Sequence, residues 1–408
     1  MGTISAVGVG VDALWRSACE GRTGIGPIRN WPAEWHLEEY PTRIAAEVLD
    51  FDPDQHMDPK SAKRTDRYCQ FAIVAALMGL QDSGLEITES NAPRVGVLIG
   101  SGIGGMLTWE EQFQRLLERG PHKVSPFIVP MMIVNMASGM VSIVTGARGP
   151  NSAVATACAS STHAIGDAVE IIRRGAADAM IAGGAEAAIS RCALAGFCRA
   201  GALSRRNDDP EHACRPFDRD RDGFVMGEGS TVLILEELQT ARRRGARIYG
   251  EITGYGMSGD AHHMTDPDPE GIGPMYAMRA ALADAGIGPA DVDYINAHAP
   301  GTQAGDAAES RSIRLLFGEQ ADRVMVSSTK AVHGHQLGAT GATEFALSVL
   351  AIGAGTVPPS LNCDSLDPAC ALNVVRGAAV PADVRVVMSN SFGFGGHNAV
   401  LVGQRLED

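Results

Sequence analysis

The chain has 408 residues, of which 45% are hydrophobic and 20% are charged, and its formal net charge is −14. These proportions are typical of a folded globular protein, and the negative charge excludes a nucleic-acid footprint spread over the whole surface. No apolar run reaches the length of a membrane span, and no signal peptide is recognised. We therefore expect a cytoplasmic protein that does not enter a membrane.

The eight cysteines include no C-x-x-C pair and no Cys/His group with zinc spacing. In a chain of this length they do not indicate a disulfide framework, and they predict reduced thiols without a metal site.

Strand-like and helix-like segments alternate along the chain. The apolar patterns predict strands at residues 94–100, 151–156, 179–184, 231–236, 294–298 and 383–390. They predict helices at residues 159–174, 273–285 and 342–354, and an Arg-rich helix that ends at residue 244. The alternation indicates an α/β protein with helices covering a mainly buried sheet. No residue-level repeat is evident, and we expect two parts, 1–250 and 251–408, joined near Gly254-Tyr-Gly256.

Cys158 stands between an apolar strand and an amphipathic helix, in Thr156-Ala-Cys-Ala-Ser160. A thiol at a helix N-terminus is exposed to the positive end of the helix dipole, which favours the thiolate. Most cysteines are small buried hydrophobes, and we interpret the other seven in that way. For Cys158 the strand–Cys–helix context favours a nucleophile.

Two histidines follow strand-like segments in the second part of the chain. His298 ends Asn296-Ala-His, and His335 lies in the run from Lys330 to Gly338. Spacing alone leaves structural and catalytic roles equally open. Lys330 is either a solvated charge or a buried cation, and a buried lysine needs a partner, for which Glu344 is the candidate.

A glycine-rich segment near the C-terminus, Asn390-Ser-Phe-Gly-Phe-Gly-Gly396, has two interpretations. It is either a simple hairpin turn or a wall of the active site that supplies backbone N–H groups to an oxyanion. A phosphate cradle is disfavoured because no Lys-Ser/Thr pair follows the glycines.

Together these segments resemble the β-ketoacyl-[acyl carrier protein] synthases of the elongating synthase II type. The resemblance covers nearly the whole chain. It rests on the Cys158, Asn296–His298, 328–335 and 390–396 segments already quoted, together with Arg215-Pro-Phe-Asp218 and Asp222-Gly-Phe-Val-Met-Gly-Glu-Gly229.

The resemblance implies a thiolase fold: two similar α/β halves, each with a mixed five-stranded sheet, layered α-β-α-β-α. The nucleophilic cysteine belongs to the first half, 1–250, and the two catalytic histidines to the second, 251–408. By resemblance, Cys158 accepts an acyl chain as a thioester, and His298 and His335 support the decarboxylation of malonyl-carrier protein. The resulting carbanion attacks the acyl group. Lys330 and Glu344 support the histidines.

The same resemblance implies roles for residues outside the catalytic set. The N–H groups of Cys158 and Phe394 would form the oxyanion hole, with Phe394 as the gate. The acyl pocket would be formed by Ile103, Ile128, Phe197, Phe392 and Phe394. Contacts to the phosphopantetheine arm would come from Thr265 and Thr302. Docking of the acidic acyl carrier protein would use Lys60, Lys63, Arg64 and Arg67.

Loss of CO₂ drives the condensation, so the resemblance implies no metal and no cofactor of the enzyme's own. The implied partners are acyl carrier protein and a second subunit, in a homodimer or in a heterodimer with a chain-length-factor-like protein. The ketosynthase subunit of a type II polyketide system is therefore an alternative. An inactive interaction subunit is disfavoured by the intact set of Cys158, His298 and His335.

Three departures from the family pattern lead to further expectations. The chain begins where the family's first strand would end, so that strand is expected to be missing, through a start site placed too far downstream or a trimmed chain. Pro300 replaces a threonine that contacts the phosphopantetheine arm in the family, so arm binding should differ. The segment Ile128-Val-Pro-Met131-Met132 differs at the position that reaches the partner's acyl pocket. It indicates either a changed chain length or partner, or a volume-conserving repacking.

Overall fold

The computed structural model describes residues 1–407. The strands, in chain order, are β1 (Gly2–Ser5), β2 (Gly8–Val9), β3 (Gly26–Pro27), β4 (Ile44–Ala45), β5 (Val95–Gly100), β6 (Asn151–Val154), β7 (Ala179–Glu186), β8 (Gly229–Glu236), β9 (Glu251–Gly259), β10 (Tyr294–Asn296), β11 (Met325–Ser327), β12 (Thr356–Val357), β13 (Val380–Pro381), β14 (Val386–Gly393) and β15 (His397–Gln404). The α-helices are α1 (Val11–Glu20), α2 (Pro59–Ala62), α3 (Arg67–Ser83), α4 (Met106–Arg119), α5 (Ile128–Met132), α6 (Met136–Thr145), α7 (Ser160–Arg173), α8 (Arg191–Arg199), α9 (Leu238–Arg243), α10 (Ile272–Ala285), α11 (Gln303–Phe317), α12 (Lys330–His333) and α13 (Thr340–Ala354).

Two large mixed sheets share one topology. The first runs β2-β1-β8-β7-β5-β6 and the second runs β11-β10-β14-β15-β9. Without β2, the first sheet is β1-β8-β7-β5-β6, and the second, read from its other edge, is β9-β15-β14-β10-β11. In each sheet the first two strand pairs are antiparallel and the last two are parallel, and the strands follow one another along the chain in the same order. The first sheet has six strands rather than the expected five because the two-residue β2 folds back on β1 as a hairpin.

The expectation that the first strand is missing is wrong. Gly2–Ser5 forms β1 and pairs antiparallel with β8, with Thr3 opposite Thr231. The two threonine hydroxyls hydrogen-bond at 2.8 Å across the pair. The strand forms because the few residues that precede the turn are enough to satisfy the backbone groups on this side of β8.

The layers follow the order helix, sheet, helix, sheet, helix, as the resemblance predicted. Helices α3 and α6 cover the outer face of the first sheet, α7 and α13 lie between the sheets, and α10 and α11 cover the second sheet. The central layer is apolar on both sides, with Leu98, Ile165 and Phe345 among its buried residues. By length and composition, the stretch Leu337–Ala354 is the one helix in the described residues that could cross a membrane, but 83% of it is buried in this central layer.

The predicted strands and helices are present, with ends that move by a few residues. The predicted joint is not a connection: Gly254 to Gly256 lie inside β9, the edge strand of the second sheet. The two glycines allow α10 to pack closely against β9. A Cβ on Gly254 would lie 2.2 Å from the carbonyl oxygen of Ala281, and a Cβ on Gly256 would lie 2.1 Å from that of Ala277.

Candidate active site

Cys158 lies in the sharp turn that connects β6 to α7. Ala157, the residue before it, has a left-handed backbone with φ of +50°, which is costly for a residue with a Cβ. Ser160 holds the turn: its hydroxyl accepts from the N–H of Thr156 at 2.9 Å and donates to the carbonyl of Ala157 at 2.6 Å. The turn places Cys158 between the end of β6 and the start of α7.

His335 is in hydrogen-bond contact with Cys158. Its Nε2 is 3.1 Å from Cys158 Sγ, and its Nδ1 is 2.9 Å from the hydroxyl of Thr340, the first residue of α13. When Thr340 donates to Nδ1, the proton of the neutral ring is on Nε2 and points at the sulfur. His333, two residues earlier, bonds instead to Thr329 and to the carbonyl of Gly334, so only the second histidine of the pair faces Cys158.

Charged side chains form hydrogen bonds with the backbone of His298. Its backbone N–H and that of Ala299 donate to Glu309 at 2.9 and 2.7 Å, and its carbonyl accepts from Lys330 Nζ. Lys330 is fully buried and pairs with Glu344 at 2.5 Å. The rings of His298 and His335 lie 5.3 Å apart, nearly perpendicular. The charges therefore fix the His298 loop through its backbone and leave the ring free to face the cavity.

Burial sets the ionisation of the site. Burial, and after it Lys330, lowers the pKa of both His298 and His335 well below the usual range, so both rings are neutral at pH 7. Burial raises the pKa of the Cys158 thiol to about 12, against the opposing influence of Lys330. Burial therefore opposes the thiolate that the helix N-terminus is expected to favour, and the raised pKa corresponds to a thiol at pH 7.

The glycine-rich segment is both a hairpin turn and a wall of the site. Phe394 to Gly396 connect β14 to β15, and the backbone N–H of Phe394 lowers the pKa of Cys158, as does that of Cys158 itself. Gly393 allows the close approach, because a Cβ there would lie 2.7 Å from the carbonyl of Thr156 and 3.1 Å from Cys158 N. Two backbone donors thus converge on the sulfur.

A cavity of about 570 Å³ opens onto Cys158, His298 and His335. Most of the residues predicted to contact the acyl chain or the arm line it: Ile103, Phe197, Phe392, Phe394, Thr265 and Thr302. Pro300 also lines it. Ile128, the first residue of α5, does not line it, and its role in an acyl pocket stays a prediction.

Three of the four basic residues predicted to dock the carrier lie on the surface. Lys60 and Lys63 are exposed around α2, and the exposed Arg64 stacks over the Phe127 ring at 4.6 Å. Arg67 differs: its guanidinium pairs with the buried Glu228 at 2.9 Å and also donates to the carbonyl of Val48. Its charge is neutralised inside the protein, so Arg67 is removed from the predicted cluster.

The sequence did not single out several residues that the structure brings to the site. Phe224 packs edge-on against His335 with ring centres 5.1 Å apart. Glu309 carries the His298 loop, and Glu186 receives hydrogen bonds from two loops beside Cys158. Phe224 is part of the quoted 222–229 motif, which was a usable signal. The two glutamates gave none, because an isolated carboxylate in a helix or at a strand end normally indicates a solvated surface.

In the described part of the chain, no group of three or more His, Cys, Asp or Glu side chains is placed to hold a metal ion. Several buried polar atoms have no partner within the described residues: Glu344 Oε2, Ser389 Oγ and both side-chain polar atoms of Asn296. Asn296 and Ser389 are paired in neighbouring strands. Donors and acceptors of this kind suit ordered water.

Comparison with known proteins identifies the family of the chain. The model of the β-ketoacyl synthase N-terminal domain matches residues 1–241, and that of the C-terminal domain matches residues 249–364. The chain is 50% identical to the 3-oxoacyl-[acyl-carrier-protein] synthase 2 of Coxiella burnetii, over 100% of this chain and 98% of that protein. It is 49% identical to the protein of the same name from Synechocystis, over 100% and 97%.

Among solved structures, the chain is similar to one described as the ishigamide ketosynthase/chain length factor. The TM-score is 0.92 at 35% identity, covering 100% of this chain and 98% of that one. The chain belongs to the β-ketoacyl synthase family. The resemblance stated from the sequence motifs is confirmed.

Proposed function

We propose that this protein is an elongating β-ketoacyl-[acyl carrier protein] synthase of fatty-acid synthesis. The observation that carries the proposal is Cys158 Sγ at 3.1 Å from His335 Nε2, with His298 beside it, at the end of a cavity open to solvent. The relatives from Coxiella burnetii and Synechocystis, named 3-oxoacyl-[acyl-carrier-protein] synthase 2, support the same activity.

The first half-reaction is transfer of the acyl chain to Cys158. The sulfur attacks the carbonyl carbon of the acyl-carrier thioester, a carbon–sulfur bond forms, and the carrier thiol leaves with the proton of Cys158. Because the resting group is a thiol, its proton must leave as the bond forms. His335 Nε2 accepts it transiently, in the tautomer whose Nδ1 donates to Thr340, and passes it to the departing carrier sulfur. For the second half-reaction the ring takes its other tautomer, in which Thr340 donates to Nδ1 and Nε2 carries the proton. The N–H groups of Cys158 and Phe394 stabilise the oxyanion.

The second half-reaction transfers the acyl chain from Cys158 to the two-carbon unit that malonyl-carrier protein supplies. The bond between the malonyl carboxylate and its neighbouring carbon breaks, CO₂ leaves, and the electron pair is held as an enolate. That carbon attacks the acyl-Cys158 carbonyl, and the Cys158 sulfur leaves and is reprotonated from solvent. His298 and His335 are neutral and each can donate one N–H to the enolate oxygen, a contribution of about 3–4 kcal/mol per donor by analogy with an oxyanion hole. No step of this chemistry needs a metal or an organic cofactor.

Lys330 and Glu344 act on the reaction through His298. Lys330 donates to the carbonyl of His298 and, as a cation, adds to the effect of burial in lowering the pKa of both rings. A protonated imidazole would release its proton to the enolate and end the reaction before the carbon–carbon bond forms. The pair is therefore a positioning and charge-setting element behind the two histidines.

The partner that delivers the substrates is an acyl carrier protein. An acidic carrier needs a local basic surface on an enzyme whose own net charge is −14. Lys60, Lys63 and Arg64 provide one, because all three are exposed and none is paired with a carboxylate in the described residues. Thr265 and Thr302 line the cavity and are the proposed contacts of the arm, whereas Pro300 offers neither a hydroxyl nor an N–H there.

A second subunit is proposed to cover the flank formed by β6 and α6. Strand β6 ends the first sheet, so one of its sides has no neighbouring strand, and α6 packs beside it with Ile143 71% and Val144 41% exposed. Apolar side chains along an open strand edge are the features that oligomers bury. Light scattering should report a dimer that Ile143→Glu dissociates, and Leu315→Glu, at a comparably exposed site on α11, should leave it intact. A monomeric wild-type protein would contradict the proposal.

The second candidate function is the ketosynthase subunit of a type II polyketide system. It is supported by the similarity to the solved ketosynthase/chain length factor structure, at 35% identity. The identity to the relatives named 3-oxoacyl-[acyl-carrier-protein] synthase 2 is higher, at about 50%, which keeps it the second candidate. In that case the partner on the β6 flank is a related but different chain, and the Met131–Met132 sequence of α5 adapts to it.

The deciding experiment is intact-mass analysis of the purified protein with a ladder of acyl-carrier proteins, followed by malonyl-carrier protein. Acylation in the wild type but not in Cys158→Ala, followed by a β-ketoacyl product two carbons longer, is the expected result. Turnover only after a second ketosynthase-like subunit is added would favour the polyketide candidate. Acylation of Cys158→Ala to the wild-type level would refute both.

Residues 1–250 and 251–408 are proposed as the two halves of a duplicated unit, supported by the shared strand order of the two sheets. A cytoplasmic location is proposed on the basis of eight free cysteines, several of them buried where reduced thiols pack as hydrophobes.

A further inference from the structure

Glu186, the last residue of β7, is a fully buried carboxylate beside the active site. Oε1 accepts from the hydroxyl of Ser101 at 2.9 Å and from the N–H of Ile103 at 3.3 Å. Oε2 accepts from the N–H groups of Gly102 at 2.7 Å and Gly338 at 3.0 Å. One carboxylate thus joins a loop of the first sheet to a turn that precedes α13.

Burial raises the pKa of Glu186, and these four hydrogen bonds act against it by favouring the ionised form. A carboxylate has about four acceptor positions, and each is met by a donor. Ser101 Oγ also accepts from the N–H of Gly104 at 3.1 Å, which leaves its proton free to be donated to Glu186. A proton on Oε2 would face two N–H donors, so the Oε2 contacts favour the ionised form. In that form the charge is compensated by hydrogen bonds rather than by a cation.

The two segments that Glu186 joins are walls of the catalytic cavity. Ile103 and Leu337 line the cavity on either side of Cys158, and Leu337 follows His335 by two residues. The segments touch: a Cβ on Gly338 would lie 2.2 Å from the N of Gly102, and a Cβ on Gly102 would lie 3.4 Å from the carbonyl of Ala157. A shift of either segment is therefore passed to the cysteine turn and to His335.

We propose that Glu186 is a positioning residue of the condensation, which locks the Ile103 loop to the Leu337–Ala339 turn so that His335 keeps its distance from Cys158 while an acyl chain occupies the pocket. The proposal rests on the function proposed above. Glu186 also acts on Cys158 through its charge, since a nearby anion disfavours the thiolate. Glu186 thus has a geometric effect that favours catalysis and an electrostatic effect that opposes thiolate formation.

These two effects give Glu186→Gln a signature that a merely structural residue would not have. The amide keeps the size of the side chain, but its NH₂ meets two of the four donors, so the two segments separate. Condensation should fall about 100-fold in kcat/KM, the loss typical of a 1 Å misplacement. Iodoacetamide should alkylate Cys158 severalfold faster at fixed pH, with an alkylation profile displaced to lower pH, because the neighbouring anion is gone.

Glu110→Gln is the matched control. Glu110 is also buried and accepts from Ser190 Oγ at 2.7 Å and Cys192 N at 2.6 Å, but it holds the start of α8 and does not line the cavity. Its variant should keep both rates within about twofold. If Glu186→Gln does not fold, Ser101→Ala tests the same clamp with the carboxylate retained and should lower kcat/KM about tenfold with no shift of the alkylation profile.

Several results would overturn the proposal. These are unchanged condensation in a folded Glu186→Gln variant, an equal loss in Glu110→Gln, or an alkylation profile that does not move. Failure of the wild type to condense would refute the proposed function instead. The alkylation profile, which needs no condensation, would still decide whether Glu186 acts on Cys158.

Discussion

Removing the Lys330 cation is a direct test of the charged pair behind the histidines. Lys330 is fully buried, and its Nζ donates hydrogen bonds to Glu344 Oε1 at 2.5 Å and to the carbonyl of His298. Lys330→Met keeps the length of the side chain and removes the charge. Glu344 is then left in the core without its counter-charge. Because burial raises its pKa and Lys330 is the main influence lowering it, the carboxyl group responds by taking up a proton.

The expected loss of stability can be worked out. Breaking a buried ion pair by removing one partner costs about 3–5 kcal/mol. An unfolding entropy of about 2.1 cal/mol/K per residue gives about 0.9 kcal/mol/K for 408 residues, so Tm should fall by about 4–6 °C. The folded pKa of Glu344 is raised, so the variant is most stable below the ordinary glutamate range. Its stability falls as pH rises toward the folded value, by up to about 1.4 kcal/mol per unit.

Calorimetry at one protein concentration would measure this for the wild type, Lys330→Met, Glu344→Gln and the double variant. The double variant leaves no buried charge and should recover most of the lost Tm. Both variants that lack Lys330 should also lose condensation, since the His298 carbonyl has no donor. The reasoning would be refuted by a Lys330→Met protein with the wild-type Tm, or by a double variant whose Tm is lower than that of Lys330→Met.

Three further outcomes follow from the site. With the pKa of Cys158 at about 12, its alkylation rate should rise about tenfold per pH unit from pH 7 to 9, and a plateau below pH 8 would mean that the helix end outweighs burial. His335→Ala should lower condensation about 10²–10³-fold through loss of one enolate donor, measured by product formation from pre-acylated enzyme; a loss below tenfold would leave the enolate to His298 alone. Lys63→Glu with Arg64→Glu should raise KM for carrier substrates at low salt while kcat is unchanged, and reversal of the exposed Arg242 serves as the control; unchanged KM would place docking elsewhere.

Local pattern was enough to predict the elements and to single out Cys158 as the candidate nucleophile. The change from an apolar strand to an amphipathic helix at Cys158 depends on neighbouring residues alone, and so does the turn that presents the sulfur. The motifs that contain His298, His335 and Phe394 are also contiguous, which is why the resemblance reached the correct residues of the cavity wall.

What depends on distant parts of the chain could not be found in this way. Both sheets have the same strand order although no residue-level repeat is visible, because topology is preserved by burial patterns that many sequences satisfy. Arg67 has the same charge as its neighbours Lys63 and Arg64, but only the folded chain brings Glu228, 161 residues away, to neutralise it.

The ionisation of the site also belongs to the tertiary structure. The sequence by itself placed Cys158 at a helix N-terminus and thereby indicated a thiolate. The packed interior acts in the opposite direction, because desolvation is the largest influence on the pKa of Cys158 and raises it. Local sequence therefore indicated which groups are candidates for the chemistry. Their charge states, and the buried carboxylates Glu186 and Glu309 that hold them in place, were decided only when distant segments excluded water together.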